Sequence, residues 1–267
     1  MSNNLSACSV RALYQRYITE ADSCSQGLLA RMKEDPRPGV RKIYERINRN
    51  RDAAEAESAR LDQMLVFERR LWFSGILNVA GVDEAGIGPL AGPVVAAAVI
   101  FPPETRISGV DDSKRLNPRQ RSHLACEISR EALSVSVGVS SVEEIDRLNV
   151  YQAGLLAMRR AVSELTVEPQ HLLVDGRTLP GLTVPQERLV RGDQKSFAIA
   201  AASIIAKTRR DEIMEALDEE YPGYGFARHK GYGTADHRRA LKQLGPAPPH
   251  RRSFTLLPKH SGWLFAE

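Results

Sequence analysis

Cysteine is scarce in this chain and badly placed for bridging. The 267 residues hold three, Cys8, Cys24 and Cys126. They are odd in number, far apart and at no zinc spacing. A disulfide framework and a cysteine zinc site are thereby excluded, and a reducing, cytoplasmic setting is expected. Long hydrophobic runs are missing as well. The longest, Val94 to Phe101, is far short of the ~20 residues a spanning helix needs. The N-terminus, Met1-Ser-Asn-Asn-Leu-Ser-Ala-Cys8, has neither a basic n-region nor an apolar h-region, so no signal peptide is read. There is no internal repeat and no low-complexity tract. Nothing specifies an oligomer, and a monomer is the default.

What is there is enough for a substantial core: 42% of the residues are hydrophobic, in one large domain or one domain with an appendage. The formal charge is only +4, but it is unevenly placed. Between Arg228 and His260 stand eight Lys/Arg (among them Arg251 and Lys259) against one acid, Asp236. That suggests a polyanionic partner, with a solvated basic tail as the plainer alternative. From Arg31 to Arg51 there are eight basic residues against three acids, readable as a further nucleic-acid contact or as a solvated helical hairpin.

Residues 1 to 75 read as helical: Leu5 to Ile18, a break at Asp35-Pro-Arg-Pro-Gly39, then a long charged helix from Val40 to Phe73. The main domain follows. Strands are expected over Val79–Val82 and Val94–Phe101, joined by a turn marked by Gly86, Gly88, Pro89, Gly92 and Pro93. Pro118 starts a helix to about Ala132. Leu133 to Ser140 alternates as a third strand, and Val142–Leu148 and Val150–Leu165 are helical. His171–Asp175 is a fourth strand and Glu187–Asp193 repeats the design as a fifth. A long helix then covers Gln194 to Glu220, and another starts near Ala235. Strands alternating with helices predict an α/β fold with helices on both faces of the sheet.

Asp83 and Glu84, Asp175 and Asp193 each follow an apolar strand at its carboxyl end, where ligands collect in such sheets. Each has a structural alternative: Asp83 as a turn residue, Asp175-Gly176 as a turn dipeptide, Asp193 as the N-cap of the helix at Gln194. Three strand ends carrying acids nonetheless favour a metal site. Four carboxylates in one cleft repel each other without cations. Oxygen ligands suit Mg²⁺ or Mn²⁺, and two such ions can hydrolyse a phosphodiester.

At this point the motifs resemble bacterial ribonuclease HII. They are Val82-Asp-Glu-Ala-Gly-Ile-Gly-Pro-Leu-Ala-Gly-Pro-Val94, Asp111-Asp-Ser-Lys114, Leu173-Val-Asp-Gly176, Gly192-Asp-Gln-Lys195 with Ala201-Ala-Ser-Ile-Ile-Ala-Lys207, and His229-Lys-Gly-Tyr-Gly-Thr234. Order and spacing agree from about Asn78 to Phe254. The stretch Lys33-Glu-Asp-Pro-Arg-Pro-Gly-Val40 resembles a helical extension that some members carry. The resemblance implies a ribonuclease H-like fold, a five-stranded mixed sheet flanked by helices. It is divided as a helical extension over 1–75, a catalytic domain over 76–220 and a helical, basic substrate-binding segment over 221–267. It implies a metal-dependent endonuclease that cuts the RNA strand of RNA/DNA hybrids, and cuts 5′ of single ribonucleotides in duplex DNA. Asp83, Glu84, Asp175 and Asp193 would be its catalytic, metal-binding acids. Gly86-Ile87-Gly88 stands where the family usually has Gly-Arg-Gly, whose backbone reads the ribose 2′-hydroxyl. Tyr232 would stack on the sugar after the ribonucleotide. Lys114 and the basic residues around His229 and Arg251 would hold phosphates. Ile87 removes a guanidinium contact. The competing readings are a ribonuclease HIII, a non-catalytic binder of hybrids, and a DNA resolvase or integrase of the same fold.

Overall fold

The run Val94–Ile100 is fully buried, and the larger part of the chain is layered around it. The structure is a computed structural model that describes residue 5 and residues 8–257. Within it the chain divides into two compact units, Met1–Arg60 and Leu61–Glu267.

The smaller unit is helical, as its sequence predicts. Helix α1 (Val10–Tyr14) runs into a π-helical turn, Gln15–Thr19; α2 (Gln26–Lys33) and most of α3 (Pro38–Met64) follow. Leu13, Tyr17, Leu28, Met32, Val40, Ile43 and Ile47 form its core. The expected break ends in a folded link, because Arg37 forks onto Asp35 at 2.8 Å through two nitrogens and also donates to Leu5 O and Cys8 O. That guanidinium holds the Asp35 carboxyl down to about 2. The predicted helix Val40–Phe73 starts earlier, at Pro38, a residue preorganised for the first helical turn. It is interrupted at Leu65, after which α4 covers Val66–Phe73.

In the larger unit the strands are β1 (Val79–Ala85), β2 (Val94–Ile100), β3 (Ser134–Ser140), β4 (His171–Asp175) and β5 (Gln186–Leu189). Their order is β3-β2-β1-β4-β5, antiparallel from β3 to β1 and parallel from β1 to β5. The helices are α5 (Pro118–Glu131), α6 (Val142–Leu148), α7 (Val150–Ser163), α8 (Phe197–Glu220), α9 (Phe226–His229) and α10 (Ala235–Leu244). The five-stranded mixed sheet and its flanking helices are those expected.

Period-two alternation assigns the faces. Val94, Ala96, Ala98 and Ile100 join Ala153, Ala157, Met158 and Ala161 of α7. Ala97 and Val99 join Leu124 and Ile128 of α5 and the alanine- and isoleucine-rich start of α8. Each buried Val or Ile side chain contributes about 1.5–3 kcal/mol by leaving water. Helix α8 lies unusually close to β1, since a Cβ on Gly81 would collide with the backbone of Ala198 and Ile199.

Candidate active site

Alternation decides where the acids point. Strand β1 extends three residues beyond the predicted end at Val82, so Asp83 and Glu84 lie within a strand and diverge. Val82 pairs with Val174 in parallel register, which sets Asp83 beside Asp175 on the α8 face. Glu84 points to the α7 face. Asp175 is fixed by Gly192 N, which donates to its Oδ1 at 2.6 Å. The fifth strand is shorter than expected. Beyond it Arg191 turns left-handed (φ 56°) into a 3₁₀ turn over Gly192–Gln194. Asp193 therefore does not cap the long helix. Ser196 does, accepting from Ile199 N at 3.2 Å, and the helix starts at Phe197.

Asp83 is buried. Desolvation first, then the charges of Glu84, Asp175 and Asp193, push its pKa well above the ordinary carboxylate value. Burial likewise raises Glu84, against the pull of Arg177, and raises Asp193, against Lys114. Lys114 Nζ lies 3.5 Å from Asp193 Oδ2 and Arg177 Nη2 lies 2.8 Å from Glu84 Oε1. For Lys114 desolvation is the largest influence and lowers it, but Asp193, Asp112 and Asp83 together outweigh it and the ammonium is raised.

The three strand ends are adjacent, as expected, but the side chains are not closed on one point. Among the described residues no group of three or more His, Cys, Asp or Glu is gathered to hold a metal ion as it stands. Lys114 and Arg177 pair with two of the acids, Asp193 and Glu84. The donor set still fits a hard divalent cation. Its donors are all oxygen, burial and neighbouring charge push Asp83 towards its neutral form, and the buried Glu84 Oε2 has no hydrogen-bond partner among the described residues.

A cleft of about 250 Å³ joins Asp83, Glu84 and Asp175 to Gly86, Ile87, Gly88, Lys114 and Tyr232, so the residues singled out from sequence meet there, Asp193 reaching it through Lys114. The turn after β1 is built from beneath by two buried arginines. Arg251, 0% exposed, donates to Gly86 O (2.5 Å), Ile87 O (3.0 Å) and Gly92 O (2.8 Å). Arg210, 1% exposed, donates to Ala91 O, Pro93 O and Lys230 O. Burial lowers these guanidiniums, Arg210 to about 10 and Arg251 to about 9. With its carbonyls drawn inward, the turn has its opposite side left for a ligand. Gly86 must be glycine: its φ is +99°, and a Cβ would strike the Arg210 side chain. Gly88 is different, because a Cβ there would meet only Tyr232 Cε1, at 3.8 Å. Tyr232 is half-exposed, and its carbonyl lies 2.9 Å from Nδ1 of the buried His237.

The ribonuclease HII family model matches residues 80–257, and a model of the ribonuclease HII N-terminal domain matches residues 14–72. The chain is 50% identical over 248 residues to ribonuclease HII of Myxococcus xanthus (strain DK1622), covering 92% of this chain and 85% of that relative. The chain belongs to the ribonuclease HII family. It is therefore an endonuclease, a hydrolase with ribonuclease H activity on RNA/DNA. Among solved structures it resembles the ribonuclease H2 of Pyrococcus horikoshii OT3, with a TM-score of 0.59 and 28% identity, over 67% of this chain and 95% of that one. A Bst ribonuclease HIII in complex with Mn²⁺ shares the fold, with a TM-score of 0.50 and 22% identity, over 68% of each chain.

Two of the residues expected at the phosphate-holding surface, Arg251 and His229, are instead buried. Arg251 cannot hold a phosphate, because its guanidinium is consumed by backbone carbonyls inside the protein. His229 is buried too, with Nε2 on Tyr224 O at 2.7 Å. Much of the basic tail is also engaged internally: Arg228 and Arg239 pair with Asp236, and Lys230 with Glu215. Lys259 and His260 lie outside the described residues. Sequence reasoning also passed over Asp112, which accepts from Lys114 N (3.0 Å) and Gln194 Nε2 (3.3 Å) and so ties the Asp-Ser-Lys loop to the Asp193 turn. Its place in the Asp111-Asp-Ser-Lys114 motif was the available signal. Arg177 and Arg210 carried none.

Proposed function

We propose that this member of the ribonuclease HII family cuts the RNA strand of RNA/DNA hybrids and cuts 5′ of single ribonucleotides embedded in duplex DNA. It would leave a 3′-hydroxyl and a 5′-phosphate with the help of two Mg²⁺ or Mn²⁺ ions. Asp83, Glu84, Asp175 and Asp193 would hold the ions. When bound, such ions activate a water and stabilise the leaving oxygen of a phosphodiester. The observation that carries the reading is that Gly88 and Tyr232 line the same cleft as Asp83, Glu84 and Asp175. Glycine backbone and an aromatic ring are both presented to that cleft, which suits a sugar edge read through its 2′-hydroxyl. Lys114, largely exposed at the rim, would hold a phosphate on arrival. We picture a monomer acting in the cytoplasm; no helix among the described residues is long and apolar enough to cross a membrane.

The test is a labelled DNA duplex carrying one ribonucleotide beside an all-DNA control, with Mg²⁺ or Mn²⁺ and then EDTA. Wild type should cut 5′ of the ribonucleotide only, with metal only, and Asp83→Asn should not cut. Cutting of long hybrids alone would keep the nuclease and remove the junction-reading role of Gly86, Gly88 and Tyr232.

A further inference from the structure

Arg177 has a built seat and an unfinished hydrogen-bond set. It follows the Asp175-Gly176 turn, in which Gly176 takes φ +64° and Arg177 N donates to Asp175 O at 2.7 Å. Its guanidinium lies 5.1 Å from the ring centroid of Tyr151 on α7. It also presses on Gly154 of the same helix: a Cβ there would be 2.9 Å from Nη1 and 3.1 Å from Ile87 Cδ1. The side chain is thus held between α7 and the Gly86–Gly88 turn. Of its two terminal nitrogens, only Nη2 finds a hydrogen-bond acceptor among the described residues, Glu84 Oε1 at 2.8 Å. Nη1 is buried without a partner, and so is Glu84 Oε2. A fork that could bind a carboxylate through two nitrogens binds it through one, and each partner keeps an unused atom.

We infer that Arg177 is a stand-in cation: it neutralises Glu84 while no metal is bound, and yields Glu84 to the ion, turning its guanidinium to a phosphate of the nucleic acid. The inference rests on the proposed metal role of Glu84. A metal ion and a guanidinium beside one carboxylate repel each other, so Arg177 opposes metal entry when nucleic acid is absent. Once a strand lies in the cleft, its phosphate offers the planar donor fork the bidentate partner it lacks. Metal and nucleic acid would then each favour the other's binding, because both draw Arg177 off Glu84. The seat beside Ile87 also places a guanidinium where the turn itself supplies none.

The test measures Mn²⁺ binding by the electron paramagnetic resonance of the free ion, without nucleic acid, for wild type, Arg177→Gln, Arg177→Lys and Asp83→Asn. Arg177→Gln should bind Mn²⁺ roughly five- to tenfold more tightly, the scale set by deleting one charge roughly 6–8 Å from a divalent ion in a water-like dielectric. Arg177→Lys should stay near wild type. Binding of an all-DNA duplex in Mn²⁺, followed by fluorescence anisotropy, should weaken in Arg177→Gln, with a salt slope smaller by about one. Mn²⁺ affinity unchanged or reduced in Arg177→Gln overturns the inference, as does an unchanged salt slope. A merely structural arginine would lower Mn²⁺ affinity in both Gln and Lys variants. Loss of Mn²⁺ binding in Asp83→Asn separates the two levels. If wild type and Asp83→Asn bind alike, the metal reading of the acids fails and takes this inference with it.

Discussion

Arg251→Met removes a guanidinium and keeps most of the volume, which makes it the sharpest probe of the turn. Three carbonyls, Gly86 O, Ile87 O and Gly92 O, lose the donor that reaches them at 2.5 to 3.0 Å. A buried acceptor left unpaired costs about 1–3 kcal/mol, so the gross loss is about 3–9 kcal/mol. Part of it is returned. Burial without an acid partner is unfavourable enough to pull Arg251 to about 9, and deleting the side chain relieves that strain. A net loss of about 3 kcal/mol follows. For a unit of this size each kcal/mol shifts Tm by about 2–4 °C, so Tm should fall by about 6–12 °C. The loosened turn should also lower kcat/KM on a single-ribonucleotide duplex by roughly 100-fold, the scale of a misplaced binding element. Mn²⁺ binding to the acids should change less than about twofold, because Arg251 touches none of them. Arg251→Lys should recover under half of the Tm loss, since an ammonium cannot span three carbonyls as a fork does. A Tm drop below about 2 °C with kcat/KM unchanged would refute the reasoning.

The two glycines of the turn should separate stability from recognition. Gly86→Ala meets both a left-handed backbone and Arg210 and should destabilise by about 2 kcal/mol or more. Gly88→Ala should leave Tm unchanged, yet raise KM for the ribonucleotide substrate by roughly tenfold; equal Tm losses in urea or thermal melts would contradict this. His237, held neutral down to about 4 by burial, with a bond to the Tyr232 carbonyl working against that, protonates from its ordinary 6.5 only on unfolding. The unfolded chain then binds the extra proton, so stability should drop by about 2 kcal/mol as pH falls from about 6.5 to 4. His237→Gln should flatten that slope in urea titrations. Ile87→Arg should tighten duplex binding and steepen its salt dependence by about one; unchanged affinity and rate would show that no contact is missing there.

The sheet was largely legible because Val94–Phe101 and His171–Asp175 are apolar, short and bounded by turn residues, and because β-strand alternation needs no tertiary knowledge. That the acids would lie near one another was legible for a different reason: each singly has a structural use, but three strand ends carry them together, and the strand order makes those ends neighbours. What failed was whatever depended on partners distant in sequence. Asp193 looked like a helix cap because Gln194 opens a helical pattern. The 3₁₀ turn before Ser196 arises from Arg191 and Gly192, and from Asp175, whose carboxylate takes the Gly192 N–H. Arg251 looked like solvent-facing charge because a basic tail usually is. Its burial depends on carbonyls some 160 residues earlier, and no local pattern encodes that. Arg177 was invisible on the same grounds.

The turn that follows the first strand owes its shape to the far end of the chain. Leu90 N bonds Gly231 O, Gly92 N bonds Pro249 O, and Arg251 N bonds Leu90 O, beneath which the Arg251 fork closes. Asp83, Glu84 and Asp175, by contrast, are placed by the pairing of β1 with β4. A molecule cut short before Pro249 would keep the paired strands and lose the bonds that shape the turn. The turn is thus closed by a segment some 160 residues further along the chain, and, under the role proposed for Gly86, Gly88 and Tyr232, such a fragment should bind nucleic acid without telling ribose from deoxyribose.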